Sequence, residues 1–359
     1  MELALNGLDV CERITAPEGA ECPRHAIAPS RPAVRVKPHH HGLPLRVGTR
    51  ASPLALTQTR NFLSLLTQFC PVLRGMDVFQ EHAIRTTGDA TQATGERLAD
   101  IGGKGLFSKE IHEALLDRRI DFAVHSLKDL ETELPDGIVL ACTLKREDAR
   151  DALILGPDLE VPSEDAPYST LPYGSIVASS SVRRQSQLLH ARPDLQVVNI
   201  RGNVHGRLDK VKRGDYPASL LALAGMRRLG LEDEASVVIP TSVMVPSACQ
   251  GIVGITVRAR ETELHQLLGA IEDKEARVAA TAERALLLSL DGSCRTPIGA
   301  YARMLPEGRM HLTGLVARTD GTFQLRREVE CLQADAARAG RDLGDNLRMD
   351  SPRDVFAPA

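Results

Sequence analysis

The segment IVASSSVRRQSQLLHARPDLQVVNIRGNVHGRLDKVK, residues 176–212, decides the predicted fold. Its short apolar run Ile176–Ala178 predicts a buried strand, and Val182–Ala191 predicts a helix. The pattern then repeats, with a strand over Val197–Ile200 and a helix over Val204–Lys212. Strands that alternate with helices across short connections are typical of α/β units. The segment therefore indicates an α/β domain with a largely parallel sheet.

The same alternation extends to both sides of this segment. Strands are predicted at Leu45–Gly48, Val78–Ile84, Phe122–Val124 and Leu220–Ala224, with one helix that ends at Pro71 and another that begins after Ser108. A different pattern follows: a long helix over Lys274–Leu290, strands near 300–304, 310–316 and 323–327, and a helix from Ala334. Glu307-Gly308 and Asp320-Gly321 are typical of hairpin turns, which favours an antiparallel meander. We therefore predict two α/β domains and a smaller α+β C-terminal domain.

Composition limits the classes of function. The 359 residues include 44 Lys+Arg and 47 Asp+Glu, and the net charge of −3 argues against a strongly basic nucleic-acid-binding protein. Aromatic residues make up 3% and tryptophan is absent, so stacking platforms for bases are not expected. No apolar run approaches the ~18 residues of a membrane span. The seven cysteines include no C-x-x-C pair, which predicts reduced thiols, a cytoplasmic setting and no metal site.

Six arginines recur where predicted strands end or the next helices begin: Arg50, Arg183, Arg184, Arg201, Arg207 and Arg228. Ligands of open α/β sheets bind outside the carboxyl ends of the strands. Guanidinium groups at such positions suit carboxylates or phosphates. Any one of these arginines could instead be a solvated surface residue. Their recurrence at strand ends favours an anion site.

Three further features leave alternatives open. Asp129 ends the stretch His125–Asp129 after a buried strand, where it could stabilise a cation in a dry cleft or simply pair with Lys128. Cys294 lies beside Arg295 in a loop, which favours a thiolate, although a small loop hydrophobe is the commoner role. Gly102–Gly105 lacks the spacing of a P-loop and predicts only a flexible loop.

Eight motifs, in the same order along the chain, resemble those of one known protein family. They are RVGTRASPLA at 46–55, GKGLFSKE at 103–110, HSLKD at 125–129, REDARD at 146–151, SSVRRQ at 180–185, IRGNV at 200–204, AGMRRL at 224–229 and GSCRTPIG at 292–299. With them the chain resembles the hydroxymethylbilane synthase, or porphobilinogen deaminase, family over residues 45–345. The resemblance implies a fold of two periplasmic-binding-protein-like α/β domains around a cleft. The smaller α+β domain would carry the cofactor.

The resemblance also implies an activity. The family is a transferase that joins four porphobilinogen molecules head to tail, releases ammonia each time, and then hydrolyses off linear hydroxymethylbilane for tetrapyrrole and heme biosynthesis. Its primer is one covalently bound dipyrromethane cofactor. The resemblance implies no metal, nucleic-acid or membrane partner, and a monomeric enzyme.

The family's functional residues map onto this sequence by motif. The match implies that a thioether joins the cofactor to Cys294 and that Asp129 is the catalytic carboxylate. Further cofactor or substrate contacts are implied for Arg50, Ser52, Lys104, Ser126, Lys128, Ser180, Ser181, Arg183, Arg184, Arg201, Arg207 and Arg228. Each porphobilinogen carries an acetate and a propionate, so the growing chain gains two negative charges per ring. Bidentate guanidinium groups suit such carboxylates better than lysines do.

The remaining predictions concern the domain boundaries and the positions at which this sequence departs from the family pattern. Residues 1–44, rich in Pro, Arg, Ala and His and without the apolar core of a secretory signal, are expected to form a disordered extension. We predict domain 1 at 45–147 with 249–270, domain 2 at 148–248, domain 3 at 271–345 and a tail at 346–359. Asp100, Glu131 and Cys249 stand where relatives often carry Lys, Pro and Gly. A solute-binding protein is the competing interpretation, but it leaves Cys294 unexplained.

Overall fold

The computed structural model describes residues 42–74, 77–90, 105–290 and 296–356. Most of the predicted extension 1–44, together with Asp100, Lys104 and Cys294, lies outside these residues. The described chain folds into two five-stranded sheets and one three-stranded sheet, with helices packed against them. This confirms the predicted fold class.

The first sheet has the strand order β2-β1-β3-β10-β4. Its elements are β1 (Leu45–Arg50), α1 (Pro53–Phe69), β2 (Phe79–Ile84), α2 (Thr87–Ala90), α3 (Lys109–Leu116), β3 (Phe122–Ser126), β4 (Ile138–Thr143), β10 (Val253–Arg258) and α7 (Thr262–Gly269). A buried core that includes Phe62, Phe122 and Ile255 joins α1 to this sheet. The helix α1 begins at Pro53 because the Ser52 side chain accepts a hydrogen bond from the backbone N–H of Ala55, at 3.3 Å.

The second sheet has the order β7-β6-β8-β5-β9. Its elements are β5 (Asp151–Leu155), β6 (Ile176–Ala178), α4 (Val182–Ala191), β7 (Gln196–Val198), α5 (Val204–Lys212), β8 (Ala218–Ala222), α6 (Leu223–Arg228) and β9 (Val237–Ile239). The predicted strand Leu220–Ala224 is wrong at its end, because the chain turns into α6 at Leu223. The apolar run continues from β8 into α6, so hydrophobicity alone does not mark the boundary.

The prediction of largely parallel sheets holds for only half of each sheet. The strand β1 pairs in parallel with β2 and β3, whereas β10 runs antiparallel to β3 and β4. The second sheet repeats this division, with β5 antiparallel to β8 and β9. The strands β5 and β10 follow the two chain segments that pass between the sheets, and each enters its sheet against the direction of the neighbouring strands.

The third sheet is the predicted antiparallel meander. It consists of β11 (Ile298–Leu305), β12 (Arg309–Ala317) and β13 (Gln324–Leu332), and the helices α8 (Lys274–Ser289) and α9 (Ala336–Asp350) pack on it. Both residues of the turn Glu307-Gly308 have positive φ, as a tight hairpin turn requires. None of the helices within the described ranges is long and apolar enough to cross a bilayer.

Candidate active site

Two parallel neighbours, β1 and β3, bring the first group of predicted site residues together. Arg50 is the last residue of β1, and Ser126 is the last residue of β3. A short 3₁₀ turn, Leu127–Asp129, follows β3 directly. A cavity of about 70 Å³ opens at these strand ends, and its lining includes Arg50, Ser52, Phe107, Ser126, Lys128 and Asp129. The structure therefore brings the polar side chains that follow β1 and β3 together at one edge of the sheet.

The Asp129 carboxylate faces this cavity and remains partly accessible, with 30% of its side chain exposed. One of its oxygens, Oδ2, lies 3.8 Å from Nη1 of Arg50. Arg50 also makes a closer ion pair with Asp89 and stacks on the Phe107 ring. Asp129 is thus an accessible carboxylate beside a guanidinium whose main partner is another residue.

The two serines at this edge already have protein partners. Ser52 caps α1, and the Ser126 hydroxyl donates to Oε1 of Gln58 at 3.0 Å. These bonds fix the directions of both hydroxyls beside Asp129. Further contacts can use only the remaining hydrogen-bonding capacity of each oxygen.

Lys128 is a half-buried cation that lines the cavity. Its Nζ donates to Oε1 of Gln250 at 3.2 Å, and Gln250 in turn donates to Oδ1 of Asp151 at 2.9 Å. The pKa of Lys128 is lowered to about 8, mainly by burial; Asp129 opposes this shift, and repulsion from Arg184 adds to it. Lys128 therefore carries most of its charge at neutral pH and loses it in mildly alkaline solution.

Arg183 and Arg184 lie in the first turn of α4, and both bind the buried carboxylate of Asp151. Nη1 of Arg183 and Nη2 of Arg184 each lie 2.8 Å from an Asp151 oxygen. Although burial would raise the pKa of Asp151, the two guanidinium groups hold it well below its usual range. One carboxylate thus neutralises only one of the two cations, and the group keeps a net positive charge in a region of low dielectric.

The other predicted residues of the second sheet lie at the ends of β6 and β7. Ser181 caps α4, and the Ser180 hydroxyl donates to the backbone carbonyl of Ile200. Arg207 donates from Nε to the carbonyl of Gly202 at 2.9 Å. Burial lowers the pKa of Arg207 to about 10, with added repulsion from Arg184 and Arg201, and Asp129 opposes it. The Arg207 guanidinium therefore lies within electrostatic range of Asp129.

Arg228 completes the basic group at the end of α6. Its Nη2 donates to the carbonyl of Gly251 at 2.6 Å, and burial lowers the pKa of Arg228. Within the described parts of the chain, no carboxylate oxygen comes within 4.0 Å of the charged nitrogens of Lys128, Arg207 or Arg228. Half-buried cations without a carboxylate partner lose part of their hydration without compensation and therefore favour binding of an anion.

Four residues of the site were missed by the sequence analysis: Gln58, Asp89, Asp151 and Gln250. Asp151 lies in the REDARD motif, but nothing in its spacing assigns it to Arg183. Asp89 had a detectable signal, since Thr86 and Asp89 have the spacing of a helix capping box. No local pattern marks Gln58 or Gln250.

Comparisons with known proteins agree on one family. The model described as "Porphobilinogen deaminase, dipyromethane cofactor binding domain" matches residues 45–266, and the model "Porphobilinogen deaminase, C-terminal domain" matches 277–349. The chain is 44% identical to the chloroplastic porphobilinogen deaminase of Oryza sativa subsp. japonica over 302 residues, 84% of this chain and 82% of that protein. It is 42% identical to the porphobilinogen deaminase of Paracoccus denitrificans over 315 residues, 87% of this chain and 96% of that protein.

Similarity to solved structures is weaker. The VFT2 domain of Bordetella pertussis BvgS aligns with 67% of this chain and 92% of that chain, at 14% identity and a TM-score of 0.38. A similarity at that level supports no conclusion about function.

Proposed function

The chain belongs to the porphobilinogen deaminase family, and from this premise we propose that Asp129 is its catalytic carboxylate and that Cys294 carries its cofactor. The enzyme is a hydroxymethylbilane synthase of tetrapyrrole biosynthesis, with a dipyrromethane cofactor. The observation that carries the proposal for Asp129 is its position: a partly exposed carboxylate that lines a cavity within the field of Arg50, Lys128 and Arg207.

The residues present fit a pyrrole group that bears acetate and propionate arms. Lys128, Arg207 and Arg228 are half-buried cations without a carboxylate partner among the described residues, and the buried cluster of Asp151 with Arg183 and Arg184 adds a net positive charge. Side-chain carboxylates of the cofactor and of the growing chain would neutralise these groups. When bound, the cofactor supplies the nucleophilic pyrrole carbon to which the first substrate is joined.

Asp129 can perform two tasks in each condensation. When ammonia leaves porphobilinogen, the carbon–nitrogen bond breaks, the nitrogen keeps the electron pair, and positive charge develops on the substrate. The Asp129 carboxylate, anchored at the end of β3, stabilises that charge and can accept a pyrrole N–H hydrogen bond. After the new carbon–carbon bond has formed, it can also take the proton that the attacking pyrrole ring carbon releases as the ring regains its aromaticity.

In the proposed domain arrangement, the growing polypyrrole chain lies between the two α/β domains. We propose domain 1 at 45–147 with 249–270, domain 2 at 148–248 and domain 3 at 271–345. In support, β10 completes the first sheet, and the Lys128–Gln250–Asp151 contacts connect the two sheets at the base of the site. We also propose that the enzyme acts as a monomer. A cytoplasmic setting is supported by four free cysteines in the described ranges.

Ammonia release tests the proposed function. We expect purified protein to release one ammonia for each porphobilinogen consumed and to form linear hydroxymethylbilane. The measurement follows both ammonia and porphobilinogen with time. Reversible binding of porphobilinogen without ammonia release would contradict the enzyme and favour a binding protein.

Lys128 makes the affinity for porphobilinogen depend on pH. The pKa of Lys128 is lowered to about 8, so the side chain is charged below this pH and neutral above it. We expect KM to rise as the pH increases from about 7 to about 9, because the substrate's carboxylates lose a cationic partner. In Lys128→Gln the KM should already be high at neutral pH and should lack this rise. An equal rise in the variant would assign the pH dependence to another group.

A further inference from the structure

Asp89 is a largely buried carboxylate beside the site, and hydrogen bonds with Thr86 hold it in place. Oδ2 of Asp89 accepts a hydrogen bond from the Thr86 hydroxyl at 2.9 Å, and the backbone N–H of Asp89 donates back to that hydroxyl oxygen at 3.3 Å. The backbone N–H of Thr86 also donates to Oδ2 of Asp89, at 3.4 Å, so the two residues form a capping box at the start of α2. Because 85% of the side chain is buried and its rotamer is fixed, the carboxylate is a rigid acceptor.

Arg50 uses two of its three nitrogens on this acceptor. Nη2 lies 2.5 Å from Oδ1 of Asp89, and Nε lies 3.4 Å from Oδ2. The guanidinium plane stacks on the Phe107 ring, with 4.0 Å between the central carbon and the ring centroid. The remaining nitrogen, Nη1, lies 3.8 Å from Oδ2 of Asp129. The guanidinium is therefore fixed in both position and orientation, with one nitrogen directed at Asp129.

The charges in this group favour the Asp89 pair over the Asp129 contact. Burial would raise the pKa of Asp89, but Arg50 and Thr86 keep it below its usual value, so the carboxylate is ionised. Coulomb attraction falls with distance, and the Asp89 contact is shorter than the Asp129 contact. Asp89 thus compensates most of the charge of Arg50, and Asp129 remains available to the substrate.

We propose that Asp89 is a positioning residue for the condensation reaction: it holds Arg50 against Phe107 and prevents the guanidinium from closing onto Asp129. The inference rests on the proposed role of Asp129. Lys128, Arg207 and Arg228 remain available for the substrate's carboxylates.

The Asp89→Asn variant tests this proposal. Without the negative charge at residue 89, Arg50 should move towards Asp129 and occupy it. We expect kcat to fall about 10- to 100-fold, the order of loss that a misplacement near 1 Å can cause. KM for porphobilinogen should change little, because the substrate-binding cations are intact. The intact mass of the protein should still include the cofactor, and Asp89→Glu should give an intermediate kcat.

A double-mutant cycle separates positioning from general destabilisation. If Asp89 acts through Arg50, the Arg50→Gln/Asp89→Asn double variant should be no slower than Arg50→Gln alone. Independent effects that multiply in the double variant would overturn the proposal. If Asp89→Asn does not fold, Asp89→Glu decides, because its longer side chain should displace the guanidinium and lower kcat with KM unchanged. A wild-type kcat in Asp89→Glu would then contradict the positioning role.

Glu81→Gln is the matched control. Glu81 lies on β2 in the same sheet and makes a similar two-nitrogen pair with Arg60, at 3.1 and 3.2 Å, on an exposed surface. We expect this variant to keep the wild-type kcat and cofactor mass. Wild-type turnover in Asp129→Asn would refute the proposed catalytic role of Asp129. An inactive Asp129→Asn with a wild-type kcat in Asp89→Asn would refute only the positioning inference.

Discussion

Replacing Asp129 by Asn is expected to lower the turnover of porphobilinogen by about 100- to 1000-fold, the usual effect of removing one electrostatic group from a reaction centre. The substitution keeps the size of the side chain but removes the negative charge that stabilises the cationic substrate. Arg50, Lys128 and Arg207 then surround a neutral amide and oppose the developing positive charge. Ammonia release in a single turnover measures this step directly.

Two further observations make the Asp129 result specific. The variant should retain the cofactor mass, because its basic residues and Cys294 are unchanged. Asp117→Asn is the control for the same chemical change, since Asp117 is 65% exposed and pairs only at the surface with Arg119. Wild-type turnover in Asp129→Asn, or an equal loss in Asp117→Asn, would remove Asp129 from the mechanism.

Replacing Cys294 by Ser is expected to abolish both the covalent cofactor and the activity. A serine oxygen cannot form the thioether, so the variant should have the mass of its bare sequence and release no ammonia above background. Mass spectrometry of the intact variant and the ammonia assay measure the two losses. Among the cysteines of the described residues, Cys331 is half-buried and free, and Cys331→Ser should keep both cofactor and activity. A cofactor still attached in Cys294→Ser would place the linkage on another residue.

Local signals explain which parts of the fold could be predicted. The helices Val182–Ala191 and Val204–Lys212 have the predicted bounds, because Ser181 and Asn203 cap them through their own side chains. The antiparallel positions of β5 and β10 could not be predicted in this way. They depend on the route of the chain between the two sheets, and an apolar strand carries no information on the direction of its neighbours.

The same distinction applies to the site. The predicted strand ends were enough to place Arg50, Arg184 and Asp129 near the site. The carboxylate partners of the two arginines, however, are distant in the chain. Asp89 lies 39 residues after Arg50, and Asp151 lies 33 residues before Arg184. Such pairs form only when separate strands are brought together, and single-sequence spacing does not encode them. The sequence therefore predicted where the cations lie but not how far the protein neutralises them.

Two departures from the family pattern have a structural explanation. Cys249 adopts a φ of 60°, in the left-handed region where glycine is favoured, which accounts for the glycine that relatives often carry there. Its backbone N–H donates to Oε2 of Glu283 at 2.5 Å, a bond that helps to hold this conformation. Glu131 accepts a hydrogen bond from the Ser108 hydroxyl at 2.7 Å and so fixes the start of α3. Neither residue obstructs the cavity at Asp129.

The central claim is that Cys294 holds a pyrrole primer beside an aspartate surrounded by basic side chains. Mass spectrometry of freshly purified protein, followed by mapping of the peptide that contains residue 294, tests it most directly. The account predicts a protein heavier than its sequence by one dipyrromethane, with all the added mass on Cys294. An unmodified Cys294 in folded protein supplied with porphobilinogen would contradict it.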